Sequence, residues 1–367
     1  MSLSESFSVL RPYIDEATAT ALARLLARAG ATPRSSAFSE AVVSSVEGGK
    51  RFRALMAHVG WSLSSGRPLS EARLPHLAAA LELYQASALV HDDIIDHADE
   101  RRGAPTPHRR LADLHRGAGW IGSSRTFGRN AAILVGDFLF SAASAEADEQ
   151  ALNLPEANAR AFAHSFADMH AEVALGQYLD IMAEQSPLDP RRADALSAAD
   201  SLDVALHKSA HYSVVRPAQL GAICGANSTH IINELTDALD AILTPWGLAF
   251  QLRDDDLGVF GDPTVTGKPA GDDLREGKRT VLLALTWAAS SPAERTALAN
   301  VLGVAEASAD EIAVATQIIE RNGRSAHEAE IANLVAQGHR ALDASAFGDE
   351  ASAMLRELCD ILTARRA

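Results

Sequence analysis

The chain has 367 residues, of which 47% are hydrophobic, and 33 Lys and Arg stand against 48 Asp and Glu. A formal net charge of −15 excludes a nucleic-acid partner gripped through its phosphates. Two cysteines, Cys224 and Cys359, supply neither a disulfide framework nor a zinc cluster, which points to a reducing, cytoplasmic compartment.

The N-terminus "MSLSESFSVLRPYIDEA" lacks the basic start and apolar stretch of a signal peptide. No uncharged apolar run reaches the ~20 residues that a transmembrane segment needs. Apolar residues recur at helical spacing with little β-branched alternation, so the sequence predicts an all-α chain. In chain order, helices are predicted near 15–30, 37–45, 50–64, 75–97, 131–150, 156–184, 198–225, 231–257, 279–290, 293–302, 310–321, 326–344 and 350–365. Capping boxes at Ser291/Glu294, Ser308/Glu311 and Ser325/Glu328 mark three starts, and Asn322-Gly323 marks one end. The stretch 101–130 is expected to be a long irregular loop. No repeat or linker divides 1–367, so a single domain is expected.

The 75–97 helix ends in Asp92, Asp93 and Asp96, followed by Arg101 and Arg102. Asp92 and Asp96 project from one face, with Asp93 about 100° around. The residues before them are apolar, so these carboxylates sit at the mouth of a core, where like charges are costly without a cation. Hard oxygen ligands suit Mg²⁺, which bridges carboxylates to substrate phosphates. The bland alternative is a solvated helix end. A second helix ends in Asp254, Asp255 and Asp256, with Lys268, Arg275, Lys278 and Arg279 downstream. Carboxylates beside cations in an acidic chain fit a diphosphate held by metal and base together. Gly48-Gly49 then opens a helix that begins with Lys50, Arg51 and Arg53, a further candidate anion site. His91, His97, His207 and His211 show no metal-ligand spacing, and Trp61, Trp120, Trp246 and Trp287 are read as packing residues.

These pieces, in this order from about Gly48 to Thr280, resemble the trans-isoprenyl diphosphate synthases. "GDFLF" at 136–140, "GQYLD" at 176–180 and "KSA" at 208–210 match further blocks of that family. The resemblance implies a bundle of long helices around a deep central cavity, the isoprenoid synthase fold, in a homodimer. It implies head-to-tail condensation of isopentenyl diphosphate onto an allylic diphosphate, with about three Mg²⁺ ions joining the substrate. By the same resemblance Asp92, Asp93, Asp96, Asp254 and Asp255 bind Mg²⁺ and the allylic diphosphate. Arg101, Lys208, Gln251, Lys268 and Lys278 contact that diphosphate, and Lys50, Arg53 and Arg102 hold isopentenyl diphosphate.

Four positions depart from the family pattern. The second motif often reads DDxxD, but its fifth position is Gly258, which leaves Asp256 or Asp262 as substitutes for the third aspartate. Gln85 stands where many members carry a histidine against isopentenyl diphosphate. An amide there donates a hydrogen bond but carries no charge. Lys208-Ser209 replaces Lys-Thr and keeps the hydroxyl. Ala54 replaces a proline.

Product length is read from the helix below Asp92. Ala88 and Ser87 are small, and Tyr84 is the first large side chain, ~12 Å down the axis from Asp92. Farnesyl-making relatives often carry aromatics four and five residues before the motif, so their absence points to geranylgeranyl diphosphate, with farnesyl or longer products as the alternative. A class I terpene cyclase is the nearest rival, yet it would lack the second aspartate cluster and the GGKRFR block. A non-catalytic partner subunit would be expected to lose its aspartates, and an acidic-helix interaction protein leaves the paired basic residues unexplained.

Overall fold

The first helix, α1 (Leu3–Arg28), begins twelve residues earlier than its apolar pattern predicts. Ser2 and Glu5 close a capping box, and Pro12 lies inside the helix without ending it. A mid-helix proline costs about 3 kcal/mol. Leu3, Phe7, Leu10 and Ile14 are all buried on the same stretch. At roughly 1.5–3 kcal/mol each, their burial outweighs that cost.

The structure, a computed structural model, describes residues 2–261 and 271–363. Lys268 and Asp262 therefore lie outside the described residues. Contacts divide the chain into two compact units, Met1–Phe166 with Pro217–Asn233, and Ala167–Arg216 with Glu234–Ala367. In the first, α2 (Ser36–Val46) and α3 (Phe52–Ser65) precede α4 (Pro75–Ile95), which is buried along most of its length.

The stretch 101–130 is not an irregular loop. Strands β1 (Glu100–Arg101) and β2 (Ala104–Pro105) pair antiparallel, then α5 (Pro107–Gly117) and α6 (Ser124–Leu152) follow. Arg102 and Gly103 both have positive φ, 55° and 74°, as a two-residue hairpin turn requires. α5 buries only His108, Leu111, Ala112 and His115, too few hydrophobic residues to register as an apolar stripe.

The long helix α7 (Glu156–Gln185) continues from the first unit into the second. The predicted 198–225 helix is interrupted. It comprises α8 (Ala198–Ala205), a π-helical segment (Leu206–Val215) and α9 (Arg216–Gly225). In the first unit α3 and α9 cross at backbone contact. A Cβ on Gly60 would lie 1.8 Å from the Ala218 carbonyl oxygen, and one on Gly221 1.7 Å from that of Ala57.

In the second unit α10 (Thr229–Phe260) carries the second aspartate cluster near its C-terminal end, followed by the short α11 (Asp272–Glu276). α12 (Val281–Ala289), α13 (Pro292–Ala299), α14 (Ala309–Asn322), α15 (Arg324–Asp343) and α16 (Asp349–Thr363) complete the unit. Val259, Leu274, Leu283 and Trp287 share one core cluster, which anchors the elements on either side of the aspartates. Among the described residues no helix is long and apolar enough to cross a membrane.

Candidate active site

In the first unit, Gln85, Ala88, Asp92 and Asp96 share one half-buried face of α4. Asp96 caps the helix through its backbone N–H to the Asp92 carbonyl. Asp93 turns inward and is buried. Burial pushes its carboxyl up to about 6, against the pull of Arg101. The β1–β2 hairpin folds Arg101 back over the helix end. Its Nε donates to Asp93 Oδ1 at 2.6 Å and its Nη2 to Asp92 Oδ2 at 3.3 Å.

The same hairpin carries Arg102 to the Gly48-Gly49 pair. Its Nη1 donates to the Glu47 carbonyl at 2.7 Å, and a Cβ on Gly49 would lie 3.0 Å from Nη2. Both glycines have positive φ, 71° and 98°, which only glycine adopts without strain. Arg102 is thereby brought beside the loop that leads into exposed Lys50.

Arg51 belongs to the scaffold instead. It bonds Asp15 Oδ1 at 2.5 Å, the Val46 carbonyl at 2.9 Å and Glu82 Oε2 at 3.3 Å. Burial pushes the Glu82 carboxyl up, against the pull of Arg51 and Arg53. The sequence reading passed over Glu82, although a single carboxylate in the apolar run "LAAALELYQASALV" was its signal.

Below the aspartates, Tyr84 is buried with its ring edge-on to Phe140 of α6, centroids 5.9 Å apart. Ser87 is buried too, and its hydroxyl donates to the Gly136 carbonyl at 2.8 Å. Ser87 thus belongs to the α4–α6 packing, whereas Ala88 is only half-buried.

In the second unit, Lys208 stands on the π-helical segment. Gly176 of α7 permits this segment to approach, since a Cβ there would lie 2.3 Å from the Lys208 backbone nitrogen. Segments of this kind recur at functional sites because they displace one side chain from the regular helix. Lys208 Nζ donates to Asp180 Oδ2 at 2.5 Å. Lys278 Nζ lies 3.5 Å from the same oxygen and 2.9 Å from Glu184 Oε1. Burial pushes the Asp180 carboxyl up, but the two lysines outweigh it and hold it below the usual range. Asp180, the last residue of the GQYLD block, is a second residue that sequence reasoning left unassigned.

Gln251 Nε2 donates to Asp255 Oδ1 at 2.9 Å, one turn away on α10. Asp255 is buried, and burial followed by the charges of Asp273, Asp254 and Asp256 pushes its carboxyl well above the ordinary range. Asp254 and Ser209 are half-buried. Asp256 faces elsewhere, toward His327 Nδ1 at 3.1 Å and Arg253 at 3.1 Å.

In each unit one buried aspartate, Asp93 in the first and Asp255 in the second, is disfavoured as a free anion by burial and by the aspartates next to it. This chemistry fits a hard divalent cation such as Mg²⁺. Among the described residues no three His, Cys, Asp or Glu side chains gather closely enough to hold an ion by themselves.

Residues 35–319 match the polyprenyl synthetase family model. The chain is 33% identical to geranylfarnesyl diphosphate synthase of Aeropyrum pernix, over 75% of this chain and 77% of that one. It is 30% identical to (2E,6E)-farnesyl diphosphate synthase of Mycobacterium tuberculosis, over 84% and 85%. Among solved structures, it is similar to geranylgeranyl pyrophosphate synthase from Corynebacterium glutamicum complexed with isoprenyl diphosphate and magnesium. The TM-score is 0.86 at 37% identity, with 100% of each chain covered.

Proposed function

This chain belongs to the polyprenyl synthetase family, and from that premise we propose that it joins isopentenyl diphosphate head-to-tail to an allylic diphosphate with Mg²⁺, releasing geranylgeranyl diphosphate, the C20 product. It is a prenyltransferase of the trans-condensing kind. The observation that carries the C20 reading is the side of α4 below Asp92, where Ala88 is small and half-buried and Tyr84 is the first large residue. Relatives named for C15 and C25 products stand at nearly equal identity, so overall similarity does not choose between lengths.

Asp92, Asp93 and Asp96 of the first unit, and Asp254 and Asp255 of the second, are assigned to about three Mg²⁺ ions and the allylic diphosphate. The metal supplies Lewis acidity that neutralises the departing diphosphate. Arg101, Lys208, Gln251 and Lys278 bind the same group, and Lys268 is assigned with them. As the allylic C–O bond breaks, their fixed positive charges meet the growing negative charge on the leaving oxygen. Lys50, Arg53, Gln85 and Arg102 hold isopentenyl diphosphate, with Arg51 and Glu82 fixing the helix start beneath them. Its double bond attacks the allylic cation to form the new C–C bond. A proton then leaves the adjacent carbon for an oxygen of the released diphosphate. The apolar residues behind Asp92 keep water away from the cation.

The two units are assigned to one isoprenoid synthase domain over 1–367, because the unit boundaries fall inside α7, α9 and α10 and not in linkers. A homodimer is assigned as well. Exposed Ile133 and Leu134 on α6 support it. Free Cys224 and Cys359 accord with a cytoplasmic site. Incubation with Mg²⁺, isopentenyl diphosphate and each allylic primer in turn tests the proposal. A C20 product is expected, and a C15 or C25 end point would refute the length assignment.

A further inference from the structure

The sequence reads Glu328 as the capping-box partner of Ser325, but Ser325 lies inside α15, which starts at Arg324 without a side-chain cap. Glu328 is bonded elsewhere. It meets Arg253 of α10 in a two-point ion pair, with Arg253 Nη2 donating to its Oε2 at 2.7 Å and Nη1 to its Oε1. The residue before it, His327, is fully buried, with Nδ1 3.1 Å from Asp256 Oδ1. Arg253 Nη1 closes the cluster by donating to Asp256 Oδ2 at 3.1 Å. Two consecutive residues of α15 thus hold the two residues that bracket Asp254 and Asp255.

This cluster continues an antiparallel packing of α10 on α15. Trp246 Nε1 donates to the Val335 carbonyl at 3.2 Å, and Ala249 and Leu252 share a core cluster with Ile331 and Leu334. Beyond the cluster, the Arg324 guanidinium stands 4.6 Å over the Phe260 ring. The contact is apolar as far as Leu252 and turns polar at the level of the second motif. A buried carboxylate beside an imidazole stabilises no more than two apolar side chains of the same volume would, so packing alone does not call for it. What the polar pair adds is direction. At 3.6 residues per turn, Arg253 and Asp256 lie about 60° apart around the helix, and Asp254 and Asp255 each lie about 130° from their midline. Holding 253 and 256 against α15 therefore turns both aspartates of the motif away from α15.

We propose that α15 is a positioning element for the second motif: through His327 and Glu328 it fixes the rotation of α10, so that Asp254 and Asp255 face the metal and diphosphate while the Asp256 carboxylate is kept out of that site. His327 and Glu328 lie beyond residues 35–319, the stretch matched by the family model. They act through Arg253 and Asp256, as positioning residues. The assignment rests on the prenyl-transfer reading of this site.

The test is Mg²⁺-dependent binding of inorganic diphosphate to the full chain, followed by titration calorimetry, alongside steady-state kinetics with each substrate and thermal unfolding. His327→Leu removes the hydrogen bond, and His327→Asn keeps an amide donor where Nδ1 stands. Glu328→Gln takes one charge from a side chain that is 42% exposed, so the fold stays intact. His327→Leu is expected to raise the Mg²⁺ requirement and the KM of the allylic primer about tenfold, in the range seen when a group supporting a metal ligand is lost. The KM of isopentenyl diphosphate, assigned to residues of the first unit, is expected to stay unchanged. Glu328→Gln is expected to act in the same direction by a smaller factor, and His327→Asn to recover most of the loss. An unaltered Mg²⁺ requirement in folded His327→Leu and Glu328→Gln overturns the inference. So does an equal rise in both KM values, which a general loosening of the fold would cause, or a His327→Asn variant as impaired as His327→Leu. Should His327→Leu not fold, Glu328→Gln alone decides. If the unaltered chain itself shows no Mg²⁺-dependent diphosphate binding, the reading of the active site fails, and this inference with it.

Discussion

Lys208 donates from Nζ to Asp180 Oδ2 at 2.5 Å, which aims a cation that the sequence places only by a three-residue match. Lys278 approaches the same oxygen, so one buried carboxylate orients two ammonium groups. Lys50 stands in the other unit, beside the Gly48-Gly49 loop under Arg102. Lys208→Ala should therefore raise the KM of the allylic primer, and Lys50→Ala that of isopentenyl diphosphate, each by about tenfold or more. Steady-state kinetics with each substrate varied would decide. If both variants weaken the same substrate, the two assignments collapse into one.

The first motif should be indispensable to turnover and dispensable to folding. Asp92 and Asp96 lie on a half-buried face, and Arg101 already offsets part of the charge on Asp92 and Asp93. Asp92→Ala or Asp96→Ala should lower kcat by orders of magnitude, while the unfolding midpoint stays or rises because a like charge has gone. Near-normal turnover at saturating Mg²⁺ in either variant would disprove the role given to this motif.

Both motifs were legible because each closes an apolar helix with charges that the bulk pattern does not predict. Asp180 and Glu82 were not singled out. Each is one carboxylate in a long helix, and its importance comes from partners far away in sequence, Lys208 and Lys278 for one, Arg51 and Arg53 for the other. The hairpin was hidden for a similar reason. Its strands are two residues each, too short for any alternation, and Arg102 takes a positive φ that arginine rarely adopts. The Asp273 carboxylate fills the space beside Gly258, a contact between positions distant in sequence, so the sequence alone shows only the gap in the second motif.

Stability without metal should fall as pH rises. Asp93 titrates near 6 in the folded chain, above the ~3.9 of a free aspartate, so its neutral form is the favoured one. Its contribution is fully present below about pH 4 and is lost as pH climbs through 6. Asp255 is shifted in the same direction. Glu172 behaves oppositely. Burial pushes it up, but Arg216 and His211 hold it at about 2, so its stabilising contribution is full above about pH 4.5 and is lost as pH falls toward 2. The unfolding midpoint of metal-free protein is expected to be higher near pH 5 than at pH 7.5. Mg²⁺ with diphosphate should narrow that difference by replacing the proton. A metal-free midpoint that rises across this window would count against it.

Product length provides the sharpest test of α4. Tyr84 lies eight residues before Asp92, a drop of ~12 Å along the axis. Its ring is set edge-on against Phe140, so the floor assigned to the tail is a pair of aromatics on two helices. Tyr84→Ala should open that floor and shift products beyond C20, with Phe140→Ala acting in the same direction. Shortening calls for a bulky residue one turn below the aspartates, and the structure decides which position is suitable. Ser87→Phe would break the hydrogen bond to Gly136 and force α4 from α6, so a shortened product there would be mixed with unfolding. Ala88 is half-buried on the Asp92 face, and Ala88→Phe should move the product toward C15 with little loss of stability. Chromatography of dephosphorylated products would separate the outcomes. If Tyr84→Ala and Ala88→Phe both leave a C20 profile, the tail does not run along this face of α4, and the geranylgeranyl assignment loses its physical support.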